Sequence, residues 1–351
     1  MSREKKFYYG GLDWFRLIGA ILIIAIHTSP FESYSENADM ILCRIIARVA
    51  VPFFFMVTGY FGFKGRRNEN NFYLRILKLY VISCIIYLPV LIYSGYFAGV
   101  PFGNLILKIL KDIVFNGIYY HLWYFPAVLL GVFIVSRLIE HGKTKTLYAA
   151  VGILYLIGLL GDSYFGLIQR VPVVNTIYDV MFHLFEYTRN GIFFAPVFLT
   201  MGYFLKKRKK IVQLKGCVVG FLLSFAGMIG EGVALHHFQL TRHDSMYIML
   251  IPVLYFLFQL LLYCRMESRK ELREISMFVY VLHPLCIVGI RGFVKITGLS
   301  VFTENSLLYF AGVTVSAFAV SILVLLIKRK ATELSGSRRG EDYDKEGKSL
   351  D

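Results

Sequence analysis

The chain has 351 residues, of which 57% are hydrophobic and only 17% charged, with a formal net charge of +15 and a mean hydropathy of +0.60. A soluble domain of this length needs far more charge on its surface, so the composition excludes a soluble globular enzyme. The positive charge sits in short segments between apolar runs, where it acts as topogenic charge facing anionic lipid rather than as a nucleic-acid-binding surface.

Apolar runs of about 20 residues recur from end to end, long enough to cross a bilayer core of about 30 Å. The first follows MSREKK, is too long for a signal peptide, lacks a small-residue cleavage site and is soon followed by another run, so it reads as a retained helix. In chain order the sequence predicts spans near 12–30, 43–63, 74–97, 122–140, 146–161, 188–206, 214–236, 246–264, 274–296 and 305–328. Amphipathic stretches at 103–117 and 172–187 are expected to lie along the interface. If the amino terminus is cytoplasmic, the basic segments MSREKK, KGRR, KKRKK and KRK all fall inside, and the outer loops hold few lysines or arginines. The expected fold is therefore an all-α integral membrane bundle of about ten helices with both termini cytoplasmic. It occupies residues 1–330, followed by a charged, disordered tail at 331–351. The five cysteines have no CxxC spacing and read as small core residues.

Ionisable groups inside spans cost about 2.5–3.5 kcal/mol for Arg or Lys on insertion scales, so each needs a cavity or a partner. Arg16 and His27 share the first span. Eleven residues is close to three helical turns, so both project from one face, about 16 Å apart along the axis. The second span opens with Arg44 and Arg48, four apart on one face at an outer end. Arg48 lies a turn deeper and suits an anion or a carboxylate partner, and Pro52 interrupts the backbone ladder beside it. Glu231, in the seventh span, needs a cation or a proton. The following loop, HHFQLTRHDSMY, gathers Arg242, His243 and Asp244 at the mouth of the bundle. It lacks HxxxH or HxxE spacing, so no metal site is expected, and an acid–base or substrate-gripping role is the alternative. His121 before Leu122-Trp123, and His283-Pro284, read as an interface anchor and a kink.

The R-x10-H spacing of Arg16 and His27, RIIARVAVPFFFMVTGYF, the basic third-helix start at Arg75 and Lys78, HLWYFPAVLL and YVLHPL occur in an order that resembles the acyltransferase-3 family of bacterial membrane O-acyltransferases. The similarity covers roughly residues 10–328. Within it, IAIHTSP, FFAPVFLTMGYFL and RHDSMY are most similar to the membrane half of the membrane-bound serine racemases of vancomycin-resistance clusters. Those proteins continue into a soluble pyridoxal-phosphate domain that this sequence does not contain, so racemase activity is not implied.

The resemblance implies O-acyl transfer at a bacterial plasma membrane, with no tightly bound cofactor. The partners it implies are the lipid bilayer, a cytoplasmic acyl-coenzyme A as co-substrate and an extracytoplasmic hydroxyl acceptor such as a cell-surface glycan. It assigns His27 as general base, because a group titrating at about 6.5 suits proton abstraction near neutral pH. Arg16 with Arg75 or Lys78 would hold the donor's phosphates, and Arg48 the oxyanion or acceptor. Placing Glu231, Arg242, His243 and Asp244 on the acceptor side rests on burial and position alone. A serine-type carrier using the same polar stripe is the alternative.

Overall fold

The computed structural model describes residues 8–63, 66–142, 144–207 and 212–347, and the side chains within them except at 66–69 and 335–347. Lys64, Lys143 and residues 208–210, part of the expected cytoplasmic charge, lie outside the described residues.

Every regular element among the described residues is helical. In order they are α1 (Gly10–Thr28), α2 (Glu36–Asp39), a wide π turn (Met40–Ile45), a tight 3-10 turn (Ile46–Val49), α3 (Ala50–Gly62) and α4 (Arg66–Tyr93). Then come α5 (Phe102–Lys111), α6 (Tyr124–His141), α7 (Thr144–Leu160), α8 (Phe165–Ile168), α9 (Pro172–Leu184) and α10 (Ala195–Lys207). The chain ends with α11 (Leu214–His237), α12 (Leu250–Tyr263), α13 (Lys270–Thr297), α14 (Val301–Glu304) and α15 (Ser306–Gly347). The tail expected to be disordered from residue 331 continues α15 in backbone as far as Gly347.

A helix stands at each of the ten expected spans, but they differ in length. Among the described residues seven are long and apolar enough to cross a membrane: Gly10–Thr28, Glu36–Gly62, Asn70–Tyr93, Tyr124–His141, Leu214–His237, Lys270–Thr297 and Ser306–Leu334. α7 and α12 are shorter apolar helices, and α10 has only 13 residues, about 20 Å of rise. α10 starts late because the Asn190 side chain accepts the backbone N–H groups of Ile192 and Phe193 (2.9 and 3.1 Å) and holds an irregular turn where the sequence suggested helix. The stretches expected at the interface are α5 and α9, and α5 buries none of its residues.

Glycines set two approaches that matter to the site. α3 and α10 meet backbone to backbone, where a Cβ on Gly59 would overlap the Leu199 carbonyl and one on Gly202 the Met56 carbonyl. At the start of α1, a Cβ on Gly11 would overlap the Leu261 carbonyl of α12. The Gly10 N–H donates to Met266 O at 2.9 Å. Large apolar side chains such as Leu222, Leu223, Leu326 and Ile327 are more than half exposed on the outer faces of α11 and α15, as expected where the solvent is lipid. All five cysteines are free; Cys264 is exposed rather than a core residue.

Candidate functional site

α1 and α13 pack side by side, and each carries an arginine near its start and a histidine farther along, His27 near the end of α1 and His283 at the middle of α13. Arg16 and His27 lie on α1; Arg273 and His283 lie ten residues apart on α13, with Ser276 and Tyr280 between them at helical spacing. The two arginines meet at one end, called basal here, and the two histidines toward the other, called apical.

At the basal end the buried Asp13 carboxylate binds both cations, Arg273 at 2.8 Å and Arg16 at 3.3 Å. It also accepts from Ser268 Oγ (2.7 Å) and Arg269 N (3.0 Å). One acid shared by two guanidiniums leaves a net positive wall. That wall borders a cavity of about 260 Å³ lined by Arg16, Arg273, Thr58, Tyr124, Ser276 and Tyr280.

Above it lies a cluster of three histidines. The His27 and His283 rings stack with centroids 5.4 Å apart and planes at 21°, and His121 meets His283 edge-on at 5.4 Å. Tyr280 joins the cavity to the cluster: it lines the basal cavity, its ring lies 5.7 Å from His121, and its hydroxyl donates to His121 O. The dipeptide His283-Pro284 fixes the tautomer. Pro284 has no N–H for the Tyr280 carbonyl one turn back. His283 Nδ1 lies 2.9 Å from that carbonyl and 3.1 Å from Val279 O. Carbonyls only accept, so Nδ1 carries the proton and Nε2 presents a lone pair. That Nε2 is buried without a partner, as are both ring nitrogens of His121. Among the described residues no three or more His, Cys, Asp or Glu side chains surround one metal position.

The apical end opens into a cavity of about 680 Å³ lined by Ile26 and Ser29 of α1's end, Arg44, Arg48, Arg189 and the 242–245 loop. The π and 3-10 turns ahead of α3 carry Arg44 outward and Arg48 inward. Arg44 pairs with Asp244 at 3.3 Å, whereas Arg48 Nε is buried with no partner. Arg189 stacks its guanidinium 4.3 Å from the Tyr187 ring centroid and 5.3 Å from that of Trp123, and its Nε is also buried and unpartnered. Behind them Asp162, fully buried, accepts from the backbone of Ser245 (2.7 Å) and Met246 (3.0 Å). Burial pushes its carboxyl up to about 6, against the opposing pull of the Ser245 N–H and of Arg189. Burial, with Arg242 and Arg189 nearby, holds His243 down at about 4. Tyr120, 4.7 Å from His27 by ring centroids, borders a third cavity of about 410 Å³ that Arg189 also lines.

The family model for the acyltransferase domain of the acyltransferase-3 type matches residues 9–326. The chain belongs to the acyltransferase-3 family. With its apolar helices, this makes it a multi-pass membrane protein. It is 37% identical to each of two amino-acid racemases of Enterococcus faecalis, over 90% and 91% of its length and 45% and 46% of theirs. It is also 39% identical to a serine/alanine racemase of Enterococcus gallinarum, over 80% of its length and 41% of that protein's. The chain thus spans less than half the length of these curated relatives. No solved structure matches it.

In this acyltransferase-3 chain the structure gathers some of the residues expected from sequence and separates others. His27 sits at the histidine cluster and Arg16 at the basal cavity. Arg48, Arg242, His243 and Asp244 line the apical cavity together. Arg75 and Lys78 are exposed; their neighbours Ile76 and Leu79 are the α4 residues that line the basal cavity. Glu231 does not line the apical cavity. It accepts from Tyr164 Oη (2.7 Å) and from the backbone of Ile248 (2.6 Å) and Met249 (2.8 Å), tying α11 to the start of α12. His121 and His283, read as anchor and kink, are instead partners of His27. Sequence reading did not single out Arg189 or Asp162, although Asp162 is a lone acid in the short GDSY break between apolar runs.

Proposed function

We propose that this acyltransferase-3 protein moves an acyl group, acetyl in the simplest case, from cytoplasmic acyl-coenzyme A to a hydroxyl on the far side of the bacterial plasma membrane. The observation that carries the reading is the paired Arg-to-His stripe of α1 and α13, which runs from a cationic basal cavity to a histidine cluster beneath an open apical one. The basal arginines bind the donor's phosphates, with Arg75 and Lys78 contributing from the rim. The thioester reaches past Tyr280. His27 takes the proton of the acceptor hydroxyl, the oxygen bonds to the acyl carbon, and the carbon–sulfur bond breaks to release the thiolate, which recovers a proton at the basal side while His27 gives its own up to apical water. The acceptor enters through the apical cavity, past Arg48, Arg242, His243 and Asp244. A cell-surface glycan hydroxyl is the acceptor that the family resemblance favours. Acyl-coenzyme A acts as a co-substrate, and no cofactor stays bound between turnovers.

The same reading puts all ten apolar helices across the bilayer with both termini cytoplasmic. Its support is parity. α1 and α13 run parallel, because their arginines share Asp13 and their histidines stack. Counting the seven long helices alone would make α13 the sixth crossing and antiparallel to α1. Any odd number of further crossings restores the match, and adding all of α7, α10 and α12, which makes it the ninth, is the count that the loop charges favour.

A carrier for a serine-type amino acid is the second reading, favoured by relatives named as amino-acid and serine/alanine racemases. Purified protein with labelled acetyl-coenzyme A separates the two. Donor turnover that disappears in His27→Ala supports transfer. Uptake of labelled serine by proteoliposomes without donor turnover supports the carrier.

A further inference from the structure

The apical cavity carries an electrostatic pattern that neither a neutral glycan hydroxyl nor a phosphate explains. Its cationic floor is the pair Arg48 and Arg189, whose Nε–H groups are both buried and unpartnered. An unmet buried donor on a charged group is costly, which marks these two as awaiting an acceptor. Arg189 reaches only Ser245 Oγ, through Nη1 at 3.4 Å, whereas Arg44 pairs with Asp244, and Arg242 with the Glu186 carbonyl at 3.0 Å and the face of Phe182. The floor's counter-charge is Asp162, one of the groups whose charge acts on Arg189. Glu186 also acts on Arg189, so the two guanidiniums are largely countered, and one further carboxylate suits them where a phosphate dianion overshoots. The guanidinium fork also matches a carboxylate's two oxygens. The approach is acidic, with Glu32, Glu36 and Asp39 all lining the cavity from one short stretch. That acidity disfavours polyanions and tolerates a ligand that also bears an ammonium or hydroxyl group. The volume of about 680 Å³ lies within the usual range for small-molecule sites.

We propose that the apical cavity binds a small free monocarboxylate, amino acids included, through Arg48 and Arg189. This rests on the transfer reading in that it names the acceptor class, a hydroxy acid or hydroxy amino acid, but binding is readable without turnover. The protein has two tryptophans. Trp123 lies under Arg189, and Trp14 is 45% exposed near the start of α1. Trp14→Phe therefore leaves one reporter beside the proposed site.

The experiment titrates the full chain carrying Trp14→Phe, in detergent, with L-serine, L-lactate, serinol and inorganic phosphate while Trp123 fluorescence is followed. Saturable changes with serine and lactate are expected, with serinol and phosphate at least ten-fold weaker. Arg189→Gln and Arg48→Gln should each weaken serine at least ten-fold. Arg48→Lys, which keeps the charge and loses the fork, should weaken it less and guards against a folding artefact. Serinol or phosphate binding as well as serine, or serine binding untouched by all three arginine variants, overturns the proposal. Serine that binds as expected while no acceptor, serine, lactate or glycan, is ever acylated leaves the site standing and defeats the transfer reading. Turnover onto a glycan with no carboxylate binding does the reverse.

Discussion

The basal and apical cavities are both lined by arginine, yet they are finished differently. At the basal end Asp13 collects Arg16, Arg273, Ser268 and the Arg269 N–H in one closed network. At the apical end Arg48 and Arg189 keep unmet Nε–H groups, and Asp162 keeps one oxygen without a partner. A closed network fixes side chains before any ligand arrives, whereas open valences are completed by the ligand. The basal end is thus built to hold its shape and the apical end to select what enters.

The largest effect that tests this contrast comes from Asp13→Ala. Removing the shared acid strands the mostly buried Arg16 and unpairs Arg273, which is 37% exposed, and a loss of about 3 kcal/mol in thermal or denaturant stability is expected in detergent. If the basal network were ornamental, the variant would unfold like the parent.

Next is the histidine cluster between the cavities. His283→Ala should lower acyl transfer about 100-fold, the low end of acid–base contributions, with the protein still folded. Pro284→Ala returns an N–H to the Tyr280 carbonyl and competes with His283 Nδ1–H. It should give a smaller rate loss together with a mixed tautomer in ring ¹⁵N shifts. An unchanged tautomer in Pro284→Ala would remove the proline's assigned role.

Glu231→Ala should cost about 1–3 kcal/mol of stability, because it leaves the Ile248 and Met249 N–H groups at the head of α12 without their acceptor. The transfer rate measured on folded protein should be preserved; a rate collapse at full stability would return Glu231 to the acceptor side.

The smallest effect concerns Asp162. Its carboxyl, at about 6 in the fold, lies above its unfolded value, so the fold takes up the proton first as pH falls. This contribution to stability is fully present below about pH 4 and is lost as pH rises through about 6. Asp162→Asn should flatten that segment of the stability profile and leave the rest of the curve parallel to the parent.

Much of the architecture was legible in the residues. Hydrophobic run length located a helix at every expected span, and eleven-residue spacing put Arg16 and His27 on one stripe. The second stripe was equally present, as Arg273 and His283 ten apart, but no pattern singled out Arg273, and His283 read as a kink beside Pro284. A proline explains a broken hydrogen bond without showing that a side chain takes up the freed carbonyl. Glu231 read as an isolated acid because its partners are backbone N–H groups, which no side-chain pattern reveals. The length of α10 was overestimated for a related reason: the Asn190 turn is a local hydrogen-bond choice inside an apolar run. Arg75 and Lys78 show the limit of motif order, which gives the helix but not which of its faces meets the cavity. Arg48 and Arg189 are far apart in sequence, and only the packing of the 187–194 segment against the start of α3 makes them one floor.

The central claim is transfer across the bilayer along the α1–α13 stripe. The direct measurement reconstitutes the full chain in sealed proteoliposomes, with labelled acetyl-coenzyme A on the basal side and a hydroxylated acceptor on the apical side only. Labelled ester should accumulate in the apical compartment, with free thiol remaining in the basal one, and both should be absent in His27→Ala. Label appearing only in the compartment that holds the donor, or ester formation unaffected by His27→Ala, would contradict the account.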